Sequence, residues 1–214
     1  CIEPRTSNHA GMNAARIIVY SVGQLTNSGS YTAIDSVRTI DISSITTPES
    51  FGGGTWALGG FTGIYPGTYR VTSTEYCYWQ RLSGNLSSAP GGDLDDVIAV
   101  YQANGLYGQL IVEIKSTDAG FYSDSDCGTW QPVNVSTLSS VNSFANGVWA
   151  VGSQITPGTW TASSDDCYWA RLSGFGDEDE DVIANDYSSG NQIVQILDTD
   201  VGFKSSGCGT WVPN

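Results

Sequence analysis

Basic residues are scarce in this chain. Eight Lys and Arg stand against 22 Asp and Glu, a net charge of −14 over 214 residues. A surface of that sign repels phosphate backbones and anionic lipid heads, which argues against nucleic acid as a partner. Long apolar runs are missing too: no stretch approaches the ~18 residues that would read as a membrane-spanning helix, and no charged-then-apolar signal segment stands at the start. Histidine occurs once, as His9, outside the repeated part of the chain. A Ser-His-Asp or Cys-His arrangement is therefore hard to build. Neither a GxxxxGK[ST] nor a GxGxxG loop is present, which removes the common phosphate-binding signatures. Acids are plentiful enough for two-carboxylate glycosidase chemistry, but such enzymes need a deep cleft that small β domains seldom provide. The expectation is a protein without enzymatic activity.

What is abundant is turn-forming and aromatic: 26 Gly, seven Trp and 11 Tyr, beside one Met and two Lys. That balance disfavours helix and favours short strands, so the chain reads as all-β. It is also duplicated. Trp56 matches Trp149, "PGTY" at 66–69 matches "PGTW" at 157–160, and "DDVIA" at 95–99 matches "EDVIA" at 180–184. "TDAGF" at 117–121 is answered by "TDVGF" at 199–203, and "CGTW" at 127–130 by "CGTW" at 208–211. The offsets drift because one copy carries insertions, which belong in loops. The organisation expected is a strand-rich leader at 1–50, a β repeat at 51–130, a polar linker at 131–144 and a second β repeat at 145–214. Each repeat should be a compact sandwich or barrel. Within the leader, "ARIIVYSVG" at 15–23 and "SYTAIDSVRTIDIS" at 30–43 have strand composition. Two strands are barely stable in water, so they need a repeat or another molecule to pack on.

Five cysteines fall at 1, 77, 127, 167 and 208. Pairing Cys77 with Cys127 and Cys167 with Cys208 ties equivalent strands in each copy, and each closed loop contributes about 4 kcal/mol on the chain-entropy view. The alternative is one zinc site built from all four, but no CxxC pair exists and the two cysteines of each copy are far apart in sequence. Disulfides point to an oxidising, extracellular compartment. Cys1 has no partner in this scheme; lipidation of a bacterial lipoprotein and a bridge to a neighbouring chain both fit it.

"CYWQRLSG" at 77–84 returns as "CYWARLSG" at 167–174. Strand alternation puts Cys77, Trp79, Arg81 and Ser83 on one face and Tyr78, Gln80 and Leu82 on the other. Arg81 beside Trp79 can stack along the indole while reaching a carboxylate, with Asp96 or Asp118 as candidates, matched by Asp181 and Asp200 for Arg171 beside Trp169. Two roles stay open: a structural clamp that fixes loops to the sheet, or a platform for sugars and carboxylates. "CYWxRLSG" followed by "TDxGF" and "CGTW" resembles a small disulfide-closed β domain found singly or in tandem in secreted proteins and lipoproteins of actinobacteria and related bacteria. The resemblance covers 51–130 and 145–214, implies a domain facing the outside of the cell, and carries over no catalytic residue.

"GDEDEDVIAND" at 176–186 and "GGDLDDVIAV" at 91–100 are acid-rich. Asp93, Asp95 and Asp96, with Asp177, Asp179 and Asp181, are calcium candidates because closely spaced carboxylates suit a hard cation, although their spacing is not that of an EF-hand loop. Solvated surface is the competing account. Asn85 in "NLS" and Asn134 in "NVS" fit the glycosylation pattern. Taken together, the sequence reads as a surface protein of structural or adhesive character with no cofactor, or calcium alone. Self-association would give the leader a role, its strands adding to a neighbour's sheet edge in a filament or shell. The alternative is a carbohydrate-binding module, which buried or exposed Trp79 and Trp169 would separate.

Overall fold

The computed structural model describes residues 16–18 and 39–41 (backbone), 49–59, 63–73, 76–84, 86, 89–90, 94–103 and 108–214. The chain divides into two units, Cys1–Thr47 and Pro48–Asn214. In the first, β1 (Arg16–Ile18) pairs antiparallel with β2 (Thr39–Asp41), Ile17 opposite Ile40. The second holds both repeats. It consists of strands and short 3-10 turns, with no α-helix among the described residues.

The first repeat contains β3 (Gly54–Ala57), β4 (Gly67–Ser73), β5 (Cys77–Leu82), β6 (Val97–Ala103), β7 (Gly108–Ile114), β8 (Gly120–Ser123) and β9 (Gln131–Pro132). β3, β8, β5 and β6 form one layer in that order, and β9, β4 and β7 form another. The second contains β10 (Gly147–Ala150), β11 (Gly158–Leu172), β12 (Val182–Ile196), β13 (Gly202–Ser206) and β14 (Val212–Pro213). Here β11 and β12 are long enough to serve both layers. Three residues lie between Ser73 and Cys77, whereas two lie between Ser164 and Cys167. The tighter spacing is absorbed as a register shift inside β11, between Ser164 and Cys167.

Each repeat wraps its layers around a matched set of rings. Phe51, Trp56, Tyr69, Trp79, Phe121 and Trp130 correspond to Phe144, Trp149, Trp160, Trp169, Phe203 and Trp211, and the edge-to-face contacts recur: Phe121 meets Trp130 at 5.6 Å, Phe203 meets Trp211 at 5.2 Å. Most indole N–H groups find an acceptor, Trp130 on Ser123 Oγ at 2.9 Å and Trp211 on Ser205 Oγ at 2.8 Å. Those of Trp79 and Trp169 are buried without one. The disulfides Cys77–Cys127 and Cys167–Cys208 close over these cores, with Cα–Cα distances of 4.4 and 4.1 Å. The glycine of each "CGTW" follows its cysteine at φ 89° (Gly128) and 77° (Gly209), which a side chain would strain.

The repeats are not beads on a linker. β10 pairs parallel with β7, Gly147 opposite Gln109, so one sheet runs β12-β11-β13-β10-β7-β4-β9 across both copies. Val148, Ala150, Ala170, Leu172 and Phe175 of the second copy belong to the core of the first. The expected linker 131–144 is itself structured. Gln131 and Pro132 are β9, paired with β4; Val135–Thr137 form a 3-10 turn; Phe144 bridges to Trp211 as Phe51 does to Trp130. Phe144 thus takes in the second repeat the place that Phe51 takes in the first.

Candidate functional site

β5 is flanked by β6 and β8. In register, Arg81 lies opposite Ala99 on one side and Phe121 on the other. The two-faced reading of this strand needs a correction: Gln80 and Leu82 are buried along with Cys77, Trp79 and Arg81. A bulge between Arg81 and Leu82 breaks the alternation at Leu82, while Gln80 is buried with its Oε1 unpartnered among the described residues. Trp79 is 2% exposed and stacks on Tyr101 and Phe121, at 5.9 and 5.5 Å between ring centres.

Arg81 is 1% exposed. Its Nε and Nη2 donate to the two carboxylate oxygens of Asp118 at 2.8 and 2.7 Å, the bidentate fork that a guanidinium's planar geometry favours. Of the two carboxylates proposed in the first copy, Asp118 is the partner; Asp96 instead lies against Gly84. Asp118 also accepts from the Lys115 backbone N–H, at 2.9 Å. Nη1 of Arg81 then reaches the second repeat, donating to the Gly176 carbonyl at 2.9 Å and to Glu178 at 2.6 Å. Lys115 donates to both oxygens of the same Glu178, at 3.0 and 3.1 Å. Burial opposes ionisation of Glu178, but hydrogen bonds from Lys115 and Arg81 more than offset it and hold the carboxyl below its ordinary range.

Around this node the copies interlock. Gln109 and Gln154 exchange carboxamide hydrogen bonds in both directions at 2.9 Å, and Gln109 donates to the Val148 carbonyl at 2.9 Å. Glu113 N–H donates to the Phe175 carbonyl at 2.8 Å. Lys204 pairs with Asp177 and sits 4.7 Å above the Tyr101 ring. Burial pushes the Asp177 carboxyl up, against the pull of Lys204, and burial beside Asp177 pushes the Tyr101 phenol up to about 12. The small cavity lined by Trp79, Tyr101, Ile111, Val148, Phe175 and Asp177 measures about 10 Å³, room for one water.

The second copy repeats half of this. Arg171 Nε and Nη2 donate to Asp200 at 2.7 and 2.8 Å, and Leu197 N–H donates to Asp200 at 2.9 Å. Burial raises the Asp200 pKa, yet the bonds from Arg171 and Leu197 bring it below the ordinary value. The Arg171 side chain is 16% exposed, and its Nη1 has no partner among the described residues. Trp169 is half-buried and stacks on Phe203.

The acidic segments divide. Asp177 and Glu178 belong to the junction. Asp181 accepts from the Glu178 backbone within the 3-10 turn Asp179–Asp181, and Asp179 and Asp95 are exposed. Among the described residues no three His, Cys, Asp or Glu side chains are grouped to hold a metal ion. Asp93, Asn85 and Cys1 lie outside the described residues. Asn134 is exposed, and its side chain accepts from Ser136 at the start of the 3-10 turn Val135–Thr137. Sequence reasoning missed Glu178 as the partner of Arg81, and it missed Phe175, Gln109 and Gln154 altogether. The signal for these lies in departures from the repeat: Gln109 and Gln154 match Asn191 and Gly63, and Lys115 matches Leu197.

No helix among the described residues is long and apolar enough to cross a membrane. No curated protein and no solved structure matches the chain significantly. A family model does, over residues 48–131 and again over 142–212, the spans that carry the two β repeats. The chain belongs to the Rv1352-like extracellular domain family, in a tandem arrangement, and is an extracellular protein.

Proposed function

We propose that this is a non-enzymatic structural protein of the extracellular surface, working by contact and self-association rather than by turnover. The observation that carries the reading is the fate of the repeated motif. Trp79 and Arg81 face inward, Arg81 being held by Asp118 of its own repeat and joined to the next through Glu178 and the Gly176 carbonyl. An aromatic beside a guanidinium could have offered sugars a platform, but a 2% exposed Trp79 leaves little ring face for one. Rigid coupling of the repeats suits a load-bearing or spacing module. The N-terminal strands β1 and β2 form a small unit of their own and are suited to adding onto a neighbour's open sheet edge, which would link copies into a filament or shell.

Two measurements on the full chain test this. Sedimentation velocity across a concentration series should show reversible growth beyond the monomer. Titration with a panel of soluble polysaccharides and oligosaccharides, with and without calcium, should leave tryptophan fluorescence unchanged. A strictly monomeric protein that binds one glycan saturably would replace the structural reading with the carbohydrate-binding one.

A further inference from the structure

We infer that the second repeat offers a second copy of this chain the same face by which the first repeat holds the second. The inference rests on the self-association reading and gives it a surface. Outward-facing positions on β7 and on the matching half of β12 are the same strand positions in opposite environments. Ile111 is 3% exposed because Val148, Leu172 and Phe175 of the second repeat pack over it; Ile193, its counterpart, is 68% exposed. Gln109 is buried, whereas Asn191 is exposed. Gln195 and Leu197 are exposed where Glu113 and Lys115 are partly covered.

The glycines tell the same story from both sides of the joint. A Cβ on Gly108 would run into the Asn146 carbonyl oxygen, and one on Gly147 into that of Gln109. The joint thus needs two backbones at close approach. Gly190 matches Gly108 and has nothing within 4 Å of such a Cβ. Gly54 matches Gly147 at a similar φ, 137° against 130°, and would meet only the ring of Trp56. On β3, Thr55 and Ala57 are exposed where Val148 and Ala150 are buried. Arg171 Nη1, the counterpart of the nitrogen with which Arg81 grips the next repeat, has no partner among the described residues.

The outer edge of β12 is therefore built to receive β3 of another molecule as β7 receives β10. Such a contact is heterologous: each molecule presents one face and keeps the other, so copies add end to end rather than closing as a two-fold dimer. It should be weaker than the internal joint. The carboxamide pair has become Asn191 and Gly63, Phe175 is Leu86, and Tyr101 is Asp186. Covalent linkage also gives the internal joint a high effective concentration that separate molecules lack.

The test uses the full chain. Ile193→Asp places a charge on an exposed position, so folding should be unaffected, while burying that carboxylate in the joint should weaken association about a hundredfold or more. Undiminished association in Ile193→Asp, with native circular dichroism, overturns the inference. A companion variant, Ile17→Pro with Ile40→Pro, removes the pairing of β1 and β2. Association that survives in this variant but not in Ile193→Asp sinks the leader-strand joint and supports the β12 face; the reverse pattern does the opposite. A Thr55→Cys and Asn191→Cys double variant in a Cys1→Ser background, treated with a short bismaleimide, should give a ladder on denaturing gels, and each single variant none. Thr55 is chosen because Gly54 sits at a φ that a side chain would strain. Absence of the ladder under conditions where the wild type associates overturns β3 as the partner strand.

Discussion

Arg81 and Arg171 occupy the same place in the same motif, yet their replacement should have unequal effects. Arg81→Met would leave Asp118, whose side chain is fully buried, with a single backbone donor, and would leave Lys115 as the one cation paired with Glu178. Removing one partner of a buried pair costs about 3–5 kcal/mol. The lost hydrogen bonds to Glu178 and Gly176 add about 1–2 kcal/mol, as expected for bonds involving charged groups. Arg171→Met also strands a buried carboxylate, Asp200, but on a side where the arginine is 16% exposed and water can enter. A cost of about 2–3 kcal/mol is expected there, between the surface and buried limits. Urea unfolding of the oxidised protein, followed by tryptophan fluorescence, should show stabilities separated by about 3 kcal/mol at constant m, or roughly 6–12 °C in melting temperature for a domain of this size. If Arg81→Met does not fold, Arg81→Lys keeps the charge without the fork and preserves the comparison. A double-mutant cycle adds specificity: Arg81 with Glu178 should couple by about 1 kcal/mol or more, Arg171 with Glu178 not at all. Equal costs for the two arginines, or no coupling to Glu178, would refute the reasoning.

Other perturbations follow from the same contacts. Glu178 and Asp200 have folded pKa values below their unfolded ones, so their contribution is fully present above about pH 4.5 and is lost as pH falls through the folded values; Asp177, raised by burial, works in the opposite sense. Urea midpoints should drop on acidification below that pH, and Glu178→Gln should make the drop shallower. Trp169→Phe should cost about 1 kcal/mol less than Trp211→Phe, because the Trp211 indole leaves Ser205 unpaired while the Trp169 nitrogen has no partner to lose. Replacing Cys167 and Cys208 with alanine should lower stability by about 2–5 kcal/mol, read from melting curves, and a reductant should then lower it further only through the remaining Cys77–Cys127 bridge.

The repeat and its chemistry were legible in the sequence because they are local or duplicated. "CYWxRLSG" and "CGTW" mark the strands that carry the disulfides, and the recurrence of Asp118 as Asp200 points to the arginine's partner. The junction was not legible, for a physical reason. Which face of a strand meets water depends on what packs over it, and Ile111 and Ile193 are the same residue with exposures of 3% and 68%. Asp177 and Glu178 looked like solvated charge because an acidic run in an acidic chain usually is. Their burial follows from Lys204, Lys115 and Arg81 converging from distant strands. Composition alone reads 131–144 as a polar connection, yet its residues supply β9 and the bridge from Phe144 to Trp211.

Whether copies of the chain join end to end is tested most directly by light scattering on the full protein over a rising concentration series, with Ile193→Asp run in parallel. The expected result is a weight-average mass that climbs without a plateau for the wild type and stays at the monomer for the variant. A wild-type mass that remains monomeric up to the solubility limit, or a climb that Ile193→Asp leaves unchanged, would contradict it.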